Sequence, residues 1–204
     1  MYKKILSAVS VLLIQFTLSS CEKEVDITPV EQVVPLQVGN EWAYAVKDYD
    51  THGNLLTTSS YAYTVRKDTT IDNSTWYILS DNRIVQNSRD GYVYYNEAGK
   101  QPVMIYPGTS FGEIGYMYKY QDYDLTVLTS RSQQMDTVEV FSESYASYLF
   151  KIENKYKAPT DVETHIITEH NYVSPGIGLV RTDIYYVDSE KIRQRRELVS
   201  YTLH

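Results

Sequence analysis

From Leu36 to the end of the chain, apolar and polar residues alternate with a period of two, which is the pattern of strands with one buried face. Trp42, Tyr44 and Val46 alternate with Ala43, Ala45 and Lys47, and the run stops at Asp50-Thr51-His52-Gly53-Asn54. A return strand carries Tyr61, Tyr63 and Val65 on one face and Thr64 and Arg66 on the other. Further strands are predicted over 76–79, 92–96, 102–106, 114–120, 125–129, 137–141, 148–154, 164–173, 179–187 and 192–203. Turn residues separate them, among them Asp72-Asn73-Ser74, Arg89-Asp90-Gly91 and Ser174-Pro175-Gly176-Ile177-Gly178. No stretch after residue 21 holds a helical period. The expected fold is all-β, an antiparallel up-and-down meander closing as a barrel or folding over as a sandwich.

The first twenty residues follow a different logic. Lys3 and Lys4 precede an apolar run from Ile5 to Leu18, too short for a permanent membrane helix and of the right length for a cleaved signal. Leu18-Ser19-Ser20-Cys21 resembles the lipobox of bacterial lipoproteins, which implies cleavage before Cys21 and lipidation of its thiol. Cys21 is the single cysteine, so no intramolecular disulfide competes for it. With acyl chains attached, each buried methylene contributes about 0.8 kcal/mol of membrane affinity, so two or three chains hold firmly. No second apolar run is long enough to cross a bilayer as a helix. Three parts are therefore expected: a signal peptide over 1–20, a lipid-anchored tether over 21–34 punctuated by Pro29, and one β-domain over 35–204.

Composition sharpens this picture. Tyrosine occurs 21 times against four Phe and two Trp, and tyrosine suits half-buried pleated surfaces where the ring packs and the hydroxyl stays hydrated. Net charge is −7, and it becomes −9 once Lys3 and Lys4 leave with the signal. An acidic domain repels phosphate backbones, so nucleic acid is not an expected partner. The acids in Glu22-Lys23-Glu24-Val25-Asp26 partly match the export signal of surface lipoproteins in Bacteroidetes. The expected location is the outer membrane, facing either the cell surface or the periplasm.

Two further segments extend that resemblance. Pro35-Leu36-x-Val38-Gly39-Asn40-x-Trp42-x-Tyr44 opens the domain and Pro175-Gly176-Ile177-Gly178-Leu179-Val180-Arg181 stands near its close. Together they resemble a pattern in small Bacteroidetes lipoproteins of uncharacterised function, and this implies a β-domain without implying an activity. Asp68-Thr69-Thr70 and Asp136-Thr137-Val138 resemble the O-glycosylation sequon of that phylum, which implies sugar on Thr69 and Thr137.

Candidate chemistry is thin. Gly108-Thr109-Ser110-Phe111-Gly112 matches the G-x-S-x-G nucleophile elbow, but that motif needs a helix after the serine, and here Tyr116, Tyr118 and Tyr120 alternate as a strand. A serine hydrolase using Ser110 with one of the histidines is the alternative reading. Asp48-x-Asp50-x-His52-Gly53 resembles half of a calcium loop, yet Ser59 stands where the bidentate Glu belongs. Glu163, His165 and Glu169 share a strand face and would need a further ligand to hold a metal. Lys191, Arg193, Arg195 and Arg196 are expected to pair with carboxylates on neighbouring strands. No cofactor or metal is expected. The tyrosine ladder Tyr116, Tyr118 and Tyr120 is the candidate surface for stacking on sugar rings. The expected function is a non-enzymatic, membrane-anchored domain that binds a ligand in the cell envelope, either glycan or another envelope protein. A purely structural envelope component is the other open possibility.

Overall fold

The computed structural model describes residues 32–97, 99–109 and 113–204; the leader, Cys21 and Ser110 lie outside the described residues. Thirteen strands form one antiparallel sheet: β1 (Glu41–Tyr49), β2 (Leu55–Ile71), β3 (Ser74–Leu79), β4 (Ile84–Ser88), β5 (Gly91–Asn96), β6 (Gln101–Pro107), β7 (Ile114–Lys119), β8 (Asp124–Arg131), β9 (Asp136–Val140), β10 (Glu143–Lys157), β11 (His165–Ser174), β12 (Gly178–Tyr185) and β13 (Ile192–Thr202). The expected all-β meander is the observed one. The hydrogen-bonded order is β6-β5-β4-β3-β2-β1-β13-β12-β11-β10-β8-β7, with β9 paired to β10 alone. Sequence neighbours therefore pair almost throughout, and β13 returns to β1.

The sheet curls into a nearly closed barrel. Its two edges, β6 and β7, are joined by the segment 108–113 and meet through side chains. The Met104 amide of β6 donates to the Tyr116 hydroxyl of β7 at 2.8 Å, and Tyr94 and Tyr118 bring their hydroxyls to 3.4 Å. Curvature comes from two long strands. The 17-residue β2 pairs with β1 up to Thr64, shifts register after Val65, and pairs with β3 beyond it. Likewise β10, 15 residues long, pairs first with β9 and then with β8 and β11. A bulge in a long strand bends it and raises the local twist, turning a flat sheet into a closed one.

The alternation read from sequence sorts inside from outside. Trp42, Tyr44 and Val46 of β1 are buried, with Tyr63 and Val65 beside them and Phe150, Val173, Val180 and Leu198 across the interior. Val33, Val34 and Leu36 are also buried, so packing already begins within the stretch whose composition resembles a tether. The Val34 carbonyl accepts from the Asn87 side chain on β4 at 2.7 Å, and the Gln32 carbonyl accepts from the Gly176 amide at 3.1 Å. The segment thus crosses from one side of the barrel to the other and plugs that end.

The two sequence motifs meet at this plug. The Trp42 indole N–H donates to the Ile177 carbonyl at 2.6 Å, and the Tyr44 hydroxyl donates to the Leu179 carbonyl at 2.9 Å. Gly178 has a positive φ of 104°, a conformation that favours glycine, and it packs beside Val34 and the indole nitrogen. These motifs are one assembled device, separated by 135 residues in the chain.

Candidate functional site

The open end of the barrel lies beyond Val46, four residues up β1 from Trp42 and so roughly 13 Å from the plug. Its floor is aromatic. Tyr44, Tyr63, Tyr92 and Tyr106 are buried, with Tyr44 stacked on Tyr63 at 5.9 Å and Tyr92 on Tyr106 at 5.5 Å. Burial pushes all four phenols well up, so they remain neutral hydroxyls at any working pH. Above the floor is an open recess of about 470 Å³ lined by Val46, Tyr61, Asp81, Arg83, Gln194 and Arg196.

Each wall has a local cause. Leu79 to Ile84 is a tight connection with Asn82 at φ 68°, a left-handed position that asparagine tolerates. It turns Asp81 and Arg83 towards β2. Arg83 pairs with Asp81 at 2.8 Å, Tyr61 donates its hydroxyl to the same carboxylate at 2.5 Å, and the guanidinium lies 5.3 Å over the Tyr63 ring. The Asp81 carboxyl sits below its usual range: partial burial opposes this, and the Tyr61 hydrogen bond and the Arg83 charge outweigh it. On the opposite wall Arg196 pairs in register with the inward-facing Val46 and Thr182. Its Nε donates to the Gln194 side-chain oxygen at 2.9 Å. Gln194 in turn donates to Asp48 at 2.9 Å.

A second chamber of about 270 Å³ lies under the seam, lined by Tyr94, Met104, Tyr118, Tyr120, Leu125 and Ile152 among others. The tyrosine ladder is found here. Tyr116 and Tyr118 are half-buried with their hydroxyls engaged across the seam, whereas Tyr120 is 50% exposed and stacks on Tyr123 at 4.7 Å.

No family model and no curated protein matches the chain. Among solved structures it is similar to an assigned exported protein with a YmcC-like fold from Bacteroides fragilis NCTC 9343. That pair shares 13% identity at a TM-score of 0.47, over 83% of this chain and 98% of the other. It is also similar to an assigned lipoprotein from Parabacteroides distasonis ATCC 8503, at 15% identity and a TM-score of 0.47, over 84% and 99% respectively.

The other sequence candidates are dispersed. Ser110 lies outside the described residues, and the next element is strand β7 where the elbow motif requires a helix. Asp50 serves its own turn, accepting from the His52 amide at 2.8 Å and the Asn54 amide at 2.9 Å. His165 bonds Asp188 at 2.8 Å at the barrel rim, while Glu169 points inward to Asn154 and Glu163 precedes the strand. Thr69 is half-buried on β2 and Thr137 is exposed on β9. Of the basic run, Arg195 meets its expected carboxylate, Asp183, at 2.5 Å. Arg196 does not, because adjacent strand residues point to opposite faces. Arg83 is not singled out from sequence, and Tyr61 only as one position of an alternating strand face. Arg196 was legible in principle, since it shares parity with the core residue Leu198.

The outer face carries its own recess of about 480 Å³, lined by Lys151, Thr168, His170 and Tyr185 among others. There His170 and Tyr185 are bonded to each other at 3.0 Å, and their rings meet edge to face at 4.9 Å. Burial lowers the His170 pKa, whereas the Asp188 hydrogen bond raises that of exposed His165. We expect a proton NMR titration to show His165 deprotonating at higher pH than His170, on either side of 6.5. The signs are opposite for stability. The His165 contribution is present below its unfolded pKa and fades as pH rises through its raised folded pKa. The His170 contribution is present at higher pH and is lost as pH falls through its lowered folded pKa. Substitution Asp188→Asn should return His165 to the ordinary range; an unchanged midpoint would contradict the pairing.

Proposed function

We propose that this chain is a lipoprotein anchored in the outer membrane through Cys21, whose β-domain binds an envelope glycan, without catalysis, at the open end of the barrel. The leader and the single cysteine support the anchoring. Ten residues separate Cys21 from Gln32, where the described structure begins, a reach of up to about 36 Å when extended. The observation that carries the binding reading is the aromatic recess itself. Half-buried Tyr61, above the buried phenols, offers a ring face for the apolar side of a sugar, and Asp81, Gln194 and the guanidiniums offer hydrogen-bond partners around it.

Palmitate labelling in a bacterial host should mark the wild-type chain and spare Cys21→Ser; an unlabelled wild type would remove the anchor. For the domain, a glycan array probed with the full chain in detergent should show saturable binding. Tyr61→Ala should weaken it about tenfold, the usual scale for an aromatic anchor. Signal no greater than that of the heat-denatured chain would overturn the binding reading.

A further inference from the structure

We propose that the recess takes an anionic group of its ligand, a carboxylate, sulfate or phosphate, on the guanidinium of Arg196, with Arg83 across the same recess. This rests on the reading that the open end binds a ligand, and it names the charge of that ligand.

Arg196 is a cation of the recess that makes no direct ion pair among the described residues; the Glu169 and Asp48 carboxylates act on it only through space. It is half-buried, its Nε is fixed by Gln194, and its two terminal nitrogens have no hydrogen bond or ion pair to any described residue. The contrast with its neighbour is sharp. Arg195 points outward and shares the buried Asp183 with Arg181. The carboxylates within the barrel make their direct hydrogen bonds and ion pairs with other residues. Asp81 is held by Arg83 and Tyr61, Asp48 by Gln194 and Thr57 at 3.0 Å, and Glu169 faces Asn154. The recess lining thus holds two guanidiniums against one carboxylate, within a chain whose net charge is −7.

A half-buried guanidinium has lost part of its hydration without regaining it from a partner, so an arriving anion is not opposed by an existing ion pair. The terminal nitrogens present a planar fork that fits a two-oxygen acceptor, and charge-assisted bonds of this kind are about twice as strong as neutral ones. Gln194 holds the fork in place before the ligand arrives, which lowers the ordering cost of binding. Tyr61 stands in the same recess, so the acid is expected on a ligand that also carries a flat apolar face.

The test uses the full chain in detergent, calorimetry, and three probes: sodium sulfate, trigalacturonate and the neutral methyl ester of trigalacturonate. Sulfate should bind weakly and saturably, and trigalacturonate more tightly than its ester. Arg196→Gln should weaken both acids about thirtyfold, Arg196→Lys should restore part of the loss, and the exposed Arg89→Gln should change nothing. Melting temperatures of the variants verify that each remains folded. Failure of both acids to bind the native chain, or equal binding to Arg196→Gln, overturns the assignment. Equal binding of acid and ester to native and Arg196→Gln chains would remove the anion assignment while leaving glycan stacking in place. Loss of the glycan-array signal would remove the underlying reading itself.

Discussion

Substituting Trp42→Ala is expected to cost about 5 kcal/mol and to leave the chain largely unfolded at room temperature. Trp42 has no solvent exposure, and its ring stacks on Tyr63 at 5.0 Å. Truncation removes the transfer energy of the indole and opens a cavity that neighbouring β-strands cannot collapse to fill, together about 3–5 kcal/mol for a buried aromatic. It also leaves the Ile177 carbonyl without its donor, worth about 1 kcal/mol more. The plug would then fail as a unit, because Val34, Gly178 and the indole pack against one another. Urea unfolding followed by the fluorescence of the one remaining tryptophan, Trp76, measures this directly. Trp42→Phe keeps most of the ring and loses the donor, so it should retain a folded domain at a cost of about 2 kcal/mol. A Trp42→Ala midpoint within about 1 kcal/mol of wild type would show that the motifs are not coupled through the indole.

The second large effect is expected on the outside of the barrel. Asp183 is 1% exposed although it lies on the outer face, because Arg181 and Arg195 fold over it. Arg181 in turn lies 4.5 Å over the Tyr172 ring. Removing the carboxylate in Asp183→Ala leaves two guanidiniums adjacent, each having lost its counter-ion. Breaking a buried ion pair by deleting one partner costs about 3–5 kcal/mol. The arginine side chains retain 21% and 27% exposure, so water partly compensates them and the loss should fall near 3 kcal/mol. Added salt should recover part of it by screening the repulsion between the two arginines. Denaturant unfolding at low and high ionic strength measures both quantities. A loss under about 1 kcal/mol, insensitive to salt, would mean that the pair is solvated as an ordinary surface bridge.

Both predictions concern residues whose types were evident in the sequence and whose partners were not. Trp42 reads as a core anchor from its place in an alternating run, yet nothing local announces that Ile177 is the acceptor. Twelve of the thirteen strands follow from alternation and turn residues. The missing one, β4, reads Ile84-Val85-Gln86-Asn87-Ser88 and lacks a second apolar pair to reveal its period. The first half of β10 is hidden for a related reason, since Glu143, Ser144 and Ala146 give little contrast to Tyr145 and Ser147. The recess was less legible still. Tyr116, Tyr118 and Tyr120 attract notice because they stand in one uninterrupted run, whereas Tyr61 and Arg196 come from β2 and β13 and Arg83 from the connection between β3 and β4.

Sequence alone determined the strand-and-turn character of the domain and the glycine-rich turn at 174–178. Both depend on residues a few positions apart: period-two alternation, and glycines able to take positive φ. Tertiary structure alone decided that the sheet closes on itself at the β6–β7 seam and that the opening motif plugs one end. It also decided that Arg195 finds a carboxylate and Arg196 does not. Alternation fixes which residues share a face, but it is silent on register between strands far apart in the chain. Bulges such as the one after Ala43 shift that register locally. Charge pairing across strands is set by register, so the lack of a direct ion pair at Arg196 becomes visible only once the strands are placed.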